Sequence, residues 1–229
     1  MVIHWTAGTC SRVTLICLEE IGEPYERRLV MRSSPEVMAE YAQTVNPKGK
    51  VPALEVDGRV ITETPAVVTF LHRRHPEAGL LPADSDREID ALSLMSWFAG
   101  GIHPAITRSR FPMFFASEPS AFPSIRENAL GVLRDCFGQL EQTLADDREW
   151  LLGDWSAADA YLLWCWFRGV GSGLTGDEFP RVDALARRCQ ERPSATRVLD
   201  LETETHAKAE AAGLKVPGNP PLTAGWLPA

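Results

Sequence analysis

Thr6-Ala7-Gly8-Thr9-Cys10-Ser11 stands between the apolar run Val2-Ile3-His4-Trp5 and the pattern Val13, Cys17, Leu18, Ile21, which closes at Gly22. The reading is a strand, a tight turn and a helix. Gly8 supplies the freedom of the turn, and Thr9 or Ser11 can cap the helix by accepting from its orphan N–H groups. Cys10 is then expected in the first helical turn, where N–H groups and the positive end of the helix dipole favour a thiolate. A thiol so placed suits chemistry or the holding of another thiol. A small apolar packing residue is the other reading of a single cysteine.

Working outward, residues 1–80 alternate short β-type runs with helical ones. Tyr25-Glu-Arg-Arg-Leu-Val-Met31 reads as a second strand after the Gly22 and Pro24 turn. Ser34-Pro35-Glu36 starts a helix that Asn46-Pro47-Lys48-Gly49 stops. Pro52-Ala-Leu-Glu-Val56 and Arg59-Val-Ile-Thr62 flank Asp57-Gly58, the strongest short hairpin signal in the chain. Thr64, as cap, and Pro65, as first helical residue, then open a helix through Val68, Phe70 and Leu71. The order is β-α-β-α-β-β-α.

Pro82-Ala-Asp-Ser-Asp86 marks a boundary, beyond which every signal is helical. Ile89, Leu92, Ser96, Ala99 and His103 recur at helical spacing as one face, and Gly100-Gly101 with Pro104 should bend or interrupt that helix. Ile125, Ala129, Leu133, Cys136, Leu140 and Leu144 form the stripe of another. Ser156-Ala-Ala-Asp159 is a capping-box pattern before Ala160-Tyr-Leu-Leu-Trp-Cys-Trp-Phe167, apolar nearly all round and therefore a buried central helix. Helices around 180–191 and 194–212 complete an all-helical unit over 86–213. The segment 214–229 is expected to be extended or partly disordered.

The chain of 229 residues has a formal charge of −8. Residues 1–80 carry 9 basic and 10 acidic side chains, and residues 81–229 carry 14 and 21, so the acidity lies in the helical part. Without a basic block, neither nucleic acid nor an anionic membrane is an expected partner. The longest apolar run is too short to span a bilayer. No basic region followed by an apolar segment and cleavage site opens the chain, so secretion is not expected. Five scattered cysteines form neither a disulfide framework nor a metal-ligand spacing, and a reducing cytoplasm fits them best.

Two further stretches carry chemistry. Pro52 at the start of a strand permits a cis Val51–Pro52 peptide, which leaves the Val51 N–H and C=O to pair with an extended ligand. Taken alone, such a proline marks only a turn. Glu63-Thr64-Pro65 brings a carboxylate, a hydroxyl and fresh helix N–H groups together. Glu63 could take the ammonium of an α-amino acid group, and Thr64 with the helix N-terminus its carboxylate. Taken alone, this is a capped helix beside an exposed acid.

In combination these motifs resemble a known family. Gly8-Thr9-Cys10-Ser11 followed by Leu18-Glu19-Glu20, Asn46-Pro47-Lys48-Gly49-Lys50-Val51-Pro52-Ala53-Leu54, Glu63-Thr64-Pro65-Ala66-Val67 and Gly153-Asp154-Trp155-Ser156-Ala157-Ala158-Asp159-Ala160 occur in family order and spacing. Residues 1–76 resemble the thioredoxin-like domain of the glutathione S-transferases. The chain to about residue 212 resembles their bacterial, cysteine-containing beta-type members. The implied architecture is an α/β thioredoxin-like N-terminal domain, residues 1–80, followed by the all-α domain.

The resemblance implies Cys10 beside the glutathione sulfur, with Thr9 and Ser11 as neighbouring hydroxyls. It implies Val51 pairing with the cysteinyl unit, Pro52 as a cis-proline, and Glu63 with Thr64 gripping the γ-glutamyl end. Lys50 replaces a common glutamine, and Arg32 lies near a position that contacts the glycyl carboxylate. His103 resembles a histidine near the sulfur, although Pro104 stands where relatives carry lysine. Trp97, Phe111, Met113, Phe114 and Phe115 fall where the family builds its apolar co-substrate pocket. His4, His72, His75 and His206 suggest no metal constellation.

The expected protein is a cytoplasmic, homodimeric glutathione transferase acting on a hydrophobic electrophile. Glutathione is its co-substrate, and no metal or other bound cofactor is implied. Val13, where a dithiol motif needs its second cysteine, leaves only a monothiol cycle on Cys10 as an alternative chemistry. A carrier or interaction scaffold of the same fold is the non-enzymatic rival.

Overall fold

The computed structural model describes residues 1–31, 34–146 and 148–213. The strands are β1 (Val2–Trp5), β2 (Glu26–Leu29), β3 (Ala53–Val56) and β4 (Arg59–Thr62), in the sheet order β2-β1-β3-β4. β1 runs parallel to β2, with Val2 opposite Glu26, and antiparallel to β3, with Ile3 opposite Leu54. β4 returns antiparallel to β3 through Asp57 and Gly58, at φ 50° and 73°. Two successive positive φ values make the primed turn that the Asp-Gly pair favours. β2 is shorter than its sequence signal, and its exposed Glu-Arg-Arg-Leu edge is charged, which discourages pairing with another chain.

Helix α1 (Ser11–Ile21) and helix α3 (Thr64–Arg74) belong to the main core, with Leu15, Ile16, Val67, Val68 and Leu71 fully buried. Helix α2 (Pro35–Thr44) closes a separate cluster of Val30, Tyr41, Val51 and Ala53. The Ser34 hydroxyl accepts from Val37 N–H as its cap. This is the thioredoxin-like arrangement that the resemblance implied.

The helical remainder comprises α4 (Ser85–Trp97), α5 (His103–Arg110), α6 (Phe122–Thr143), α7 (Ala157–Val170), α8 (Pro180–Gln190) and α9 (Pro193–Ala211). The buried face of α4 and of the turn that follows it is Ala91, Met95, Phe98 and Ile102, whereas Ile89 is 62% exposed and Ser96 is exposed. Both sets have helical spacing, and periodicity alone cannot say which of two partly apolar faces meets the core. Residues Phe98–Ile102 form a π-helical turn, in which the His103 N–H bonds to the Phe98 carbonyl five residues back. The turn widens where Gly100, Gly101 and Pro104 stand. A Cβ on Gly101 would meet Trp97 Cδ1 at 2.8 Å.

α7 is buried on every side from Ala157 to Gly169. Its capping box is formed: Asp159 accepts from Ser156 N–H at 2.8 Å, and its other oxygen accepts from Leu151 N–H at 2.9 Å. Asp159→Ala orphans two buried backbone donors, so it is expected to lower unfolding free energy by about 3 kcal/mol. Urea titration of both proteins checks this, and a loss under about 1 kcal/mol contradicts it.

Candidate functional site

Gly8, at φ 71°, turns the chain from β1 into α1 in a conformation that side-chain-bearing residues rarely adopt. Cys10 follows as the N-cap residue of α1 and makes no side-chain cap. It therefore stands just outside the first turn rather than in it. Of the two hydroxyls, Thr9 accepts from the first N–H of α1, while the Ser11 hydroxyl is bound to Thr9. Thr9 Oγ1 donates to the Thr6 carbonyl at 2.7 Å, accepts from Ser11 N–H at 3.3 Å and lies 2.9 Å from Ser11 Oγ. Thr9 has one hydroxyl proton, given to Thr6, so the Ser11 hydroxyl donates to Thr9. Ser11 itself is fully buried.

The turn is held from the far end of the chain. Glu202 on α9 accepts from Gly8 N–H at 3.0 Å with one carboxylate oxygen. Its other oxygen accepts from Arg12 Nε at 3.0 Å and Nη2 at 2.6 Å. Both side chains have zero exposure, and the Arg12 guanidinium lies 4.3 Å from the Phe167 ring centroid. Trp164 on α7 donates from Nε1 to the Gly8 carbonyl at 3.1 Å. Helices α7 and α9 thus fasten both polar groups of Gly8. Outside this turn, Arg192 reaches Glu20 of α1 with two 3.0 Å hydrogen bonds.

Cys10 Sγ donates to the Val51 carbonyl at 3.5 Å, and the Val51–Pro52 peptide is cis. The strand ladder begins beyond it at Ala53, paired with His4. The Lys50 carbonyl accepts from Tyr41 Oη and Asn46 Nδ2, both at 2.7 Å, which fixes the approach to Val51. At the head of α3 the expected cap is displaced by one residue. Glu63, at φ 69°, is the N-cap, Thr64 the first helical residue and Pro65 the second. The first-turn N–H groups remain outside the intrahelical ladder whichever residue is the cap. The exposed Glu63 carboxylate pairs with Lys48 Nζ at 2.6 Å. The buried Thr64 hydroxyl hydrogen-bonds with Tyr161, whose own ionisation burial pushes well up, with Cys10 and Cys165 adding to the shift.

These pieces converge on a cavity of about 390 Å³, lined by Cys10, Lys50, Val51, Pro52, Glu63, Thr64 and His103 together with Asn46, Lys48 and Tyr161. A second cavity, of about 570 Å³, opens beside it between Thr9, Leu29, Met31, Ile106, Phe111, Met113, Phe114 and Trp164. Cys10, Lys50, Val51, His103 and Thr107 line both. His103, just past the π turn, packs edge-on against Trp164 with ring centroids 4.5 Å apart. Among the expected apolar residues, Phe111, Met113 and Phe114 line the larger cavity and Phe115 the smaller. Trp97 lines neither, being turned against Phe98 and the open side of Gly101. Arg32 and the segment 214–229 lie outside the described residues.

The larger cavity also contains two arginines. Arg110 Nη1 donates to the Gly171 carbonyl at 2.6 Å. Burial, then the charges of Arg110 and Arg12, push the Arg168 guanidinium down to about 9. Arg110 is lowered too, by burial and by Arg126. Sequence reasoning passed over Arg12, Arg168, Trp164, Glu202 and Lys48. The available signal was charge inside apolar pattern: Arg12 heads an apolar helix, and Arg168 follows directly on Phe167. Among the described residues no group of three or more His, Cys, Asp or Glu side chains could hold a metal, and no helix is long and apolar enough to cross a membrane.

Comparison with known proteins adds to this geometry. A family model described as "Glutathione S-transferase, N-terminal domain" matches residues 7–74. The chain is 30% identical over 210 residues to glutathione S-transferase GstA of Escherichia coli O157:H7, a match covering 88% of this chain and 98% of that protein. It is 33% identical over 104 residues to a maleylpyruvate isomerase of a Ralstonia species, 45% of this chain and 49% of that one. Among solved structures, a glutathione transferase homolog from Sulfitobacter with bound glutathione superposes with a TM-score of 0.77 at 27% identity, covering 87% of this chain and 97% of the other.

Proposed function

Because this chain belongs to the glutathione S-transferase family, we propose that it binds glutathione in the smaller cavity and conjugates its thiolate to a small hydrophobic electrophile held in the larger one. Residues 1–80 supply Val51, Pro52, Glu63 and Thr64 to the glutathione side, and residues 86–213 supply Phe111, Met113 and Phe114 to the co-substrate side. The observation that carries this reading is the shared wall of the two cavities, where Cys10, Val51 and His103 face both. A sulfur held against that wall has a second, apolar chamber directly beside it.

The chain's own groups suggest how the thiolate is held. The Cys10 S–H donates a hydrogen bond to the Val51 carbonyl. When the tripeptide pairs with Val51, its cysteinyl N–H takes over that carbonyl, and the Cys10 S–H turns to donate to the glutathione sulfur. The N-terminus of α1 adds favourable potential for an anion there. Glu63 receives the γ-glutamyl ammonium, and Thr64 with the first N–H groups of α3 receives its carboxylate. Lys50 and Arg32 serve the rest of the tripeptide. The thiolate then attacks the electrophilic carbon. With a chlorinated nitroaromatic, the C–S bond forms, the C–Cl bond breaks, chloride leaves, and the thiol proton has already passed to solvent. The protein works as a cytoplasmic homodimer on this reading.

Conjugation of glutathione to chlorodinitrobenzene by wild type and Cys10→Ala tests it. We expect catalysis in both, with the variant retaining about a tenth of kcat/KM, because Cys10 contributes one hydrogen bond to the thiolate. Loss of all turnover in a folded, glutathione-binding variant would instead favour the monothiol cycle in which Cys10 itself bonds to the glutathione sulfur. No turnover by the wild type with any electrophile, glutathione still binding, would favour a carrier. No glutathione affinity at millimolar concentration would favour a scaffold.

A further inference from the structure

Resting on the reading that the smaller cavity receives glutathione, we propose that Lys48 selects its γ-glutamyl end, by passing from the Glu63 carboxylate to the α-carboxylate of the ligand. Lys48 Nζ lies 2.6 Å from a Glu63 carboxylate oxygen and 3.1 Å from Thr62 Oγ1. The lysine thus stands where that reading puts the γ-glutamyl ammonium. An incoming ammonium has to replace it. A dipolar amino acid group can do so and leave no charge unpaired, because it brings a carboxylate for the displaced lysine as well as an ammonium for Glu63.

Charge and local structure both support the exchange. Among the described residues, and besides the His103 imidazole, the charged side chains lining the smaller cavity are Lys48, Lys50 and Glu63. Glutathione carries two carboxylates and one ammonium, so two lysines and one glutamate are its complement. Lys48, already paired with Glu63, is the lysine on the γ-glutamyl side, which leaves Lys50 to the rest of the tripeptide. Buried Asn46 presents both: its Oδ1 accepts from Lys48 N–H at 3.2 Å, and its Nδ2 donates to the Lys50 carbonyl at 2.7 Å. With the backbone so fixed, only the exposed Lys48 side chain has to move. An exposed ion pair contributes little stability, so exchanging it for two others costs little. Thr64 and the first N–H groups of α3 give the same carboxylate hydrogen bonds without a full charge, and Lys48 supplies the countercharge.

The test is titration calorimetry of Lys48→Met and Lys48→Arg with glutathione and with 4-aminobutanoyl-cysteinylglycine, which keeps the ammonium and lacks the α-carboxylate. Lys48 is exposed, so both variants should fold. Wild type is expected to prefer glutathione. Lys48→Met should bind glutathione about 3- to 10-fold more weakly, between the effect of an exposed ion pair and that of a charge-assisted hydrogen bond. It should bind the analogue as tightly as wild type or more tightly, because that ligand gains nothing from the lysine and must compete with it for Glu63. Lys48→Arg should keep the preference of wild type.

Glutathione bound by Lys48→Met as tightly as by wild type, or more tightly, overturns the proposal and leaves the lysine a bystander or a competitor of the ammonium. Equal weakening of both ligands overturns it as well, since Lys48 would then act by shaping the cavity. In either case wild type still binds the tripeptide, and the glutathione reading stands. A wild type without affinity for glutathione at millimolar concentration overturns that reading, and the assignment of Lys48 with it.

Discussion

Glu202→Ala is expected to lower the unfolding free energy by about 3–5 kcal/mol, because it strands the Arg12 guanidinium in a site without solvent. The pair is fully buried, with two hydrogen bonds from Arg12 on one carboxylate oxygen and Gly8 N–H on the other. Removing one member of such a pair costs more than the pair contributes, since the remaining charge has neither water nor partner. The double replacement Arg12→Met with Glu202→Leu removes both charges and should recover part of the loss. It does not restore an acceptor for Gly8 N–H. The double variant is therefore expected to stay about 1–3 kcal/mol below wild type, the cost of the unpaired Gly8 N–H, and to be poorer in kcat, because the turn before Cys10 is no longer tied to α9. Urea unfolding of the single and double variants, with glutathione conjugation alongside, separates the two effects. A single variant within about 1 kcal/mol of wild type would refute the buried-pair argument.

Glu63→Ala should weaken glutathione binding by about 10- to 100-fold, the range for a lost charge-assisted hydrogen bond. The geometry sharpens the expectation. Lys48 Nζ sits 2.6 Å from the Glu63 carboxylate and 3.1 Å from Thr62 Oγ1. Without Glu63, an incoming ammonium meets a lysine and no carboxylate. Glu63 is an exposed residue, so its loss should leave the fold intact and the effect should fall on binding. Titration calorimetry with glutathione and with cysteinylglycine, which lacks the γ-glutamyl unit, locates the contact. The variant should lose affinity for the tripeptide while the dipeptide binds it as it binds wild type. Equal loss for both ligands would mean that Glu63 acts by shaping the cavity and not by holding the ammonium.

Where local chemistry decides an element, the chain was legible. Asp57-Gly58 makes its turn, Ser34 and Ser156 cap their helices, and Asp159 closes the capping box. The tertiary structure brings Cys10, Val51, Pro52, Glu63, Thr64 and His103 to one cavity. Errors arose where two local solutions have similar free energy. Thr64 and Glu63 are adjacent candidates for one cap, and the backbone at φ 69° placed it on Glu63. On α4 two faces share the same period, and only packing against the rest of the helices chose Ala91, Met95, Phe98 and Ile102.

The order of strands and helices and the turn at Gly8 were thus determined by the sequence itself, because each depends on a few neighbouring side chains or a contiguous motif. The fastening of Gly8 by Trp164 and Glu202, 156 and 194 residues away, was decided only by the tertiary structure. So was the gathering of Arg110 and Arg168 around one cavity. Charges on separate helices have no fixed distance until those helices pack, and burial, which sets the strength of their interactions, does not exist before then.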